Sequence, residues 1–177
     1  MISKRIQPEQ NSKILYTDKK STANLIKYIE NIETGKKTHK RWYINLPKDK
    51  DLAIVKMQNT QAMNTSTSQS KMYHYIVSFE NSEKPNDQVM LDIEINLSQA
   101  LGYQEYQRVI SIHDNIEHYH MHVVINTIHP TKFINNNSPS NDYYIRDKKM
   151  RELEKKHSLS VNNGIEISRH REKQIKN

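Results

Sequence analysis

Two short runs near the middle of the chain, QRVISIH (107–113) and YHMHVVINTIH (119–129), are rich in β-branched and aromatic residues and lie five residues apart. That separation leaves room for little except a turn, so the two are expected to pair as an antiparallel hairpin. Strand side chains alternate between faces, which puts His120, His122, Val124 and Asn126 on one side and Tyr119, Met121, Val123 and Ile125 on the other. In the preceding strand His113 shares its face with Val109 and Ser111, opposite Ile110 and Ile112. The hairpin can therefore gather three imidazoles on one patch. Crowded imidazoles lose hydration and cannot all be protonated, whereas a divalent cation uses their lone pairs together. His113, His120 and His122 are accordingly predicted to be metal ligands. A lone surface or hydrogen-bonded core histidine is the commoner reading of such a residue, and it is the one adopted for His118 and His129.

At 177 residues the chain has room for one domain. Of its 39 Leu, Ile, Val and Phe residues 21 are Ile, a composition that suffices for a modest core and favours sheet. A net charge of +7 and a pI near 9.4 suit a protein that meets phosphate backbones, although a basic soluble protein with no such partner has the same balance. The lack of cysteine excludes disulfides, thiolate metal sites and a Cys nucleophile, so any metal must rest on His, Asp or Glu. The N-terminus MISKRIQPEQ has no apolar signal core, and no apolar run approaches a membrane span. The chain reads as cytoplasmic, without membrane insertion.

Helical spacing is clear in STANLIKYIENI, where Leu25, Ile26, Ile29 and Ile32 recur ahead of Gly35, and clearer from Asn86 to Leu101, which Asn-Asp opens and Gly102 closes. KDLAIVKMQNTQAM (50–63) reads as a less regular helix and IRDKKMRELEKKH (145–157) as a basic one. HKRWYINL (39–46) and YHYIVSFE (73–80) read as strands, the second with His74, Ile76 and Ser78 on one face. Helices interspersed among antiparallel strands predict an α+β fold, a sheet with helices packed on it. The tail SRHREKQIKN has no apolar periodicity. Residues 1–160 are expected to form the domain and 161–177 a flexible basic tail.

Taken in order, LIKYI near the N-terminus, the YHYIVSF strand, EKP, LGYQEYQRV, the hairpin pattern H-x6-H-hydrophobic-H-x3-N and INTIHPTK resemble the conjugative relaxases of mobilisation type P. These belong to the His-hydrophobic-His (HUH) class of single-strand DNA endonucleases. The resemblance runs from about residue 1 to 160. It implies a central antiparallel sheet of about five strands carrying a metal site, and transesterification assisted by Mg²⁺ or Mn²⁺ on single-stranded DNA at a plasmid transfer origin. The nucleophilic tyrosine of the family falls on Tyr28, the serine of its second motif on Ser78, and its metal-binding histidines on His113, His120 and His122. It implies as partners the DNA at the nick site, relaxosome accessory proteins and the coupling protein of a type IV secretion system, in a bacterial cytoplasm. Close members often carry an acidic residue two positions after the first histidine; this chain has Asn115 there, with Asp114 and Glu117 the nearest carboxylates.

Elementary chemistry agrees with that reading. A phenol is a weak nucleophile near neutral pH and needs a metal or base beside it, and attack on a phosphodiester needs its non-bridging oxygens neutralised. Exchange of one phosphodiester for another needs no ATP, and a chain with three glycines carries no Gly-rich phosphate loop. The residues alone leave alternatives. On affinity a three-histidine site accepts zinc or another late transition metal, so the ligands do not identify the ion. The spacing of Tyr28 with Leu25 and Ile32 equally suits a core-facing ring, Ser78 a hydrogen bond to neighbouring backbone, and Asn126 either a ligand contact or a strand-end hydrogen bond. The histidine motif is shared with rolling-circle replication initiators. A non-catalytic, metal-stabilised single-strand DNA-binding module, tracking phosphates with the basic stretches 35–41 and 146–156, is the alternative from another class. The chain ends soon after such a domain would be complete, which leaves open whether it is the N-terminal piece of a longer protein.

Overall fold

The computed structural model describes residues 1–6, 19–30, 38–66, 70–80, 82–114 and 119–161. In chain order the elements are β1 (Ile2–Arg5), α1 (Lys19–Glu30), β2 (Thr38–Ile44), α2 (Lys50–Ala62), β3 (Met72–Ser78), α3 (Asp87–Ala100), β4 (Arg108–Asp114), β5 (Tyr119–Asn126) and α4 (Asp142–His157). Five strands form one sheet in the order β1-β3-β5-β4-β2, antiparallel throughout. The α+β expectation holds, and the predicted hairpin occupies the middle of the sheet. Tyr16, Asn115, Glu117, His118, residues 35–37 of the first basic stretch and the tail from 162 lie outside the described residues.

The alternation read from the sequence divides the sheet into two unequal faces. On one, Tyr73, Tyr75, Ile110, Ile112, Met121 and Val123 pack under Met90, Ile93 and Leu97 of α3 and Met150 and Leu153 of α4, forming the main core. On the other, Val109, Val124 and Met72 meet Leu25, Ile26 and Ile29 of α1 and Ile54 and Met57 of α2. This second cluster covers only part of its face. Beyond Val109 and Val124 lie Ser111, His113, His120 and His122, with Ile76 of β3 opposite His122.

Local signals fix the helix ends. Asn86 caps α3 by accepting from the amides of Gln88 and Val89, and Asp49 caps α2 by accepting from Leu52. Gly102 takes φ 82 just past α3, a left-handed conformation that costs glycine nothing. Helix α4 starts at Asp142, three residues before the periodic run at Ile145. Its first turn is fixed by a tertiary contact, Tyr73 donating its hydroxyl to Asp142 (2.7 Å), rather than by a cap legible in sequence. Strand β1 was not foreseen. It is four residues long and pairs with β3 alone, at the sheet edge, where short strands bearing charge discourage further pairing.

Candidate active site

The site is set by register. In the β4–β5 ladder His113 lies directly opposite His120, and Ser111 opposite His122. In the β3–β5 ladder Ser78 lies opposite His120, and His74 one step diagonally from His122. The three histidines of the hairpin present ring nitrogens within 4.8 Å of one another. Nδ1 of His113 and Nε2 of His120 are 3.2 Å apart. Nitrogens bound to one divalent ion at roughly 2.0–2.1 Å are separated by about this distance, so the donor set fits a metal.

Protonation is constrained by what surrounds the rings. Nε2 of His113 is 2.7 Å from the carbonyl oxygen of Ile29. A carbonyl only accepts, so that nitrogen carries the proton and donates, leaving the lone pair of Nδ1 facing His120. Ser111 Oγ lies 3.2 Å from the same Nε2. His122 is held neutral by burial first and then by the histidines around it, its pKa lowered to about 2. His74, also buried, is lowered to about 4 by desolvation. Neutral imidazoles are what a metal requires.

Helix α1 closes the site from above. Its apolar face, Leu25, Ile26 and Ile29, is buried in the second core cluster. Thr22 donates to Gln61 of α2 at 2.8 Å. At the other end Arg41 donates to the carbonyl of Glu30 (3.2 Å) and Tyr43 to its carboxylate (2.5 Å). Held at both ends, the helix brings its last turn over the histidines. Tyr28 is 61% exposed, so the core-facing alternative for this ring is excluded. Its ring stands edge-on to His122, centroids 6.5 Å apart and planes at 87°.

Other candidates sort differently. Ser78 is half-buried on the histidine face. Asp114 gives both carboxylate oxygens to Lys84, at 2.7 and 3.0 Å, and the Ile29 carbonyl, rather than Asp114, meets His113. Asn126 is fully buried and spends its amide on Gln107 and the Met57 carbonyl while accepting from the amide of Ile128, which is the strand-end role. His129 accepts from the amides of Thr131 and Lys132, a loop-bracing role. The basic stretch 146–156 rides on α4, whose apolar side packs on the sheet face away from the histidines. Within it Arg146, Arg151, Lys149 and Lys156 pair with carboxylates of the chain itself. Sequence reasoning missed two participants. The Ile29 carbonyl leaves no trace in residue type, and His74, though alternation put it on the right face, needed the β3–β5 register, which α3 and its connections conceal.

A hairpin of paired histidines that could together hold a metal ion lies at the centre of a five-stranded antiparallel sheet, with an exposed tyrosine presented beside it by a separate helix. The family described as Relaxase: MobA/VirD2-like, nuclease domain, matches residues 28–159, and the chain belongs to it. Two relatives from Escherichia coli, each named Protein TraI, are similar. One is 40% identical over 80 residues, 45% of this chain and 11% of its own length; the other is 34% identical over 118 residues, 64% of this chain and 16% of its own length. The chain thus spans a small part of these relatives. No solved structure matches it.

Proposed function

We propose that this domain nicks and rejoins one DNA strand at the transfer origin of a mobilisable plasmid, as a relaxase of mobilisation type P, with Tyr28 as nucleophile. The observation that carries this reading is the placement of an exposed tyrosine ring 6.5 Å from His122, beside the cluster of His113, His120 and His122. Those three residues would hold a divalent ion, Mg²⁺ or Mn²⁺, which when bound supplies Lewis-acid neutralisation of the non-bridging phosphoryl oxygens. Tyr28 Oη attacks phosphorus, the bond to the 3′ oxygen breaks, and the tyrosyl proton ends on the released 3′ hydroxyl. One phosphodiester replaces another, so the step runs backward to reseal the strand without an energy source. Ser78, on the histidine face beside His120, is assigned to the same site. The basic charge supports single-stranded DNA as substrate, and relaxosome proteins and a secretion coupling protein are the partners proposed for the full-length protein. The catalytic unit is taken as residues 1–160.

The test is a denaturation-resistant adduct. Wild-type protein mixed with a labelled single strand from its transfer origin and Mn²⁺ should retain the DNA whose 5′ phosphate was exposed. Tyr28→Phe should fold and bind DNA yet form no adduct, while Tyr16→Phe should react normally. Cleavage without an adduct would point to a water-using hydrolase, binding without cleavage to a passive module, and an adduct lost only in Tyr16→Phe to the other tyrosine.

A further inference from the structure

The rings of His74 and His122 meet edge to edge, centroids 5.2 Å apart and planes inclined by 27°, with His74 Nε2 2.9 Å from His122 Nδ1. A bond at that distance needs one N–H and one lone pair, so only two assignments exist. If His74 donates, the proton of neutral His122 sits on Nε2, and the nitrogen left to face the cluster has no lone pair to give. If His122 donates, Nε2 is free to ligate. Only the second assignment is compatible with His122 as a ligand, an inference that rests on the function proposed above.

We propose that His74 is a positioning residue, accepting the Nδ1 proton of His122 and so presenting its other nitrogen as a metal-ready lone pair. The site then has two such supports of different chemistry. His113 is held by a carbonyl, which can only accept. His122 is held by an imidazole, which could do either and must be in the right tautomer, its own proton on Nδ1. That Nδ1 is buried without a hydrogen-bond partner among the described residues. Residue 74 is only 2% exposed, in a place where leucine would leave no polar atom stranded. A histidine there is a poor packing choice and a useful acceptor. Ring partners of this kind fix the orientation and basicity of metal-bound histidines.

The test uses the metal-free chain and Mn²⁺ alone, with no DNA. His74→Leu fills the space but removes the acceptor. His74→Gln places an amide oxygen at nearly the reach of Nε2. Leucine is expected to weaken Mn²⁺ binding by about 10–100-fold, the range for loss of such a support, and glutamine to recover most of it, with far-UV spectra and metal-free DNA binding unchanged. Long-range ¹H–¹⁵N imidazole spectra of the wild-type apoprotein should show His122 protonated on Nδ1. Unaltered Mn²⁺ affinity in His74→Leu, or a wild-type His122 protonated on Nε2, overturns the proposal, the second even if the leucine variant does not fold. His120→Ala is the control for the underlying reading: if it too leaves Mn²⁺ binding intact, the three-histidine site itself is wrong.

Discussion

Single side chains in this protein show how little residue type says about role until its neighbours are known. Asn126 and His122 share one face of one strand, yet Asn126 is locked to Gln107, which in turn donates to Thr60 of α2 (3.1 Å). Removing that amide strands buried partners. Asn126→Ala should cost about 1–3 kcal/mol in urea unfolding and leave Mn²⁺ affinity unchanged, because the Val109–Val124 pair separates the network from the histidines. A large loss of metal affinity in a folded Asn126→Ala protein would restore it to the site. The three hairpin histidines were legible because alternation and a short turn are local properties. Tyr28 was not legible from spacing, since its position relative to Leu25 suits a core residue; its exposure follows from how α1 is rolled on the sheet, a tertiary choice.

Elements are tied together here by polar contacts as much as by apolar ones. Helix α3 is fastened to β4 through a buried ion pair, Arg108 Nε to Glu94 at 2.6 Å, with Nη2 donating to the other Glu94 oxygen at 3.4 Å and Nη1 to the carbonyls of Tyr103, Gln104 and Tyr106. Glu94→Gln leaves that guanidinium uncompensated and is expected to cost about 3–5 kcal/mol, measured by chemical denaturation. Asp92 joins α3 to α4 at the surface, meeting Lys156 and His157 at 2.7 Å each. Hydrogen bonding to Lys156 is the largest cause holding its pKa below the usual carboxylate value of 3.8. A depressed carboxylate binds fewer protons folded than unfolded, so its contribution is complete above the unfolded pKa and is lost as pH falls through the folded one. Asp92→Asn should therefore flatten the acid side of the stability profile below about pH 4 while costing under about 1 kcal/mol near neutrality. An unchanged acid limb would show the pair to be energetically idle. Helix positions were readable where caps and periodicity coincided, as in α3. Strand order was not, because β3 reaches β5 across an intervening helix, and β1 is too short and charged to announce itself.

At the scale of the molecule the sheet is a partition, one face given to the main core and the other shared between a small core and the histidine cluster. Basic residues follow that division. Lys148 and Lys155 are exposed on α4, behind the sheet, whereas Lys27 is exposed beside Tyr28 on α1. In filter-binding titrations across salt, Lys27→Gln should weaken single-strand binding and reduce the logarithmic salt slope by about 1, while Lys148→Gln with Lys155→Gln should change neither. The reverse pattern would move the DNA path to the other face. Net charge was compatible with a phosphate partner and said nothing of which face would meet it. Ile29 directly follows Tyr28, so the segment carrying the proposed nucleophile also sets the proton of His113 through the Ile29 carbonyl. With the proposed ion at the histidines, docking of α1 and binding of that ion would be linked equilibria, and linkage is reciprocal. Mn²⁺ should slow amide exchange along α1. Arg41→Ala, by loosening the end of that helix, should lower Mn²⁺ affinity by up to the factor by which the ion favours the docked helix. On the function proposed, a domain stripped of metal is expected to lose the placement of Tyr28 before it loses its fold.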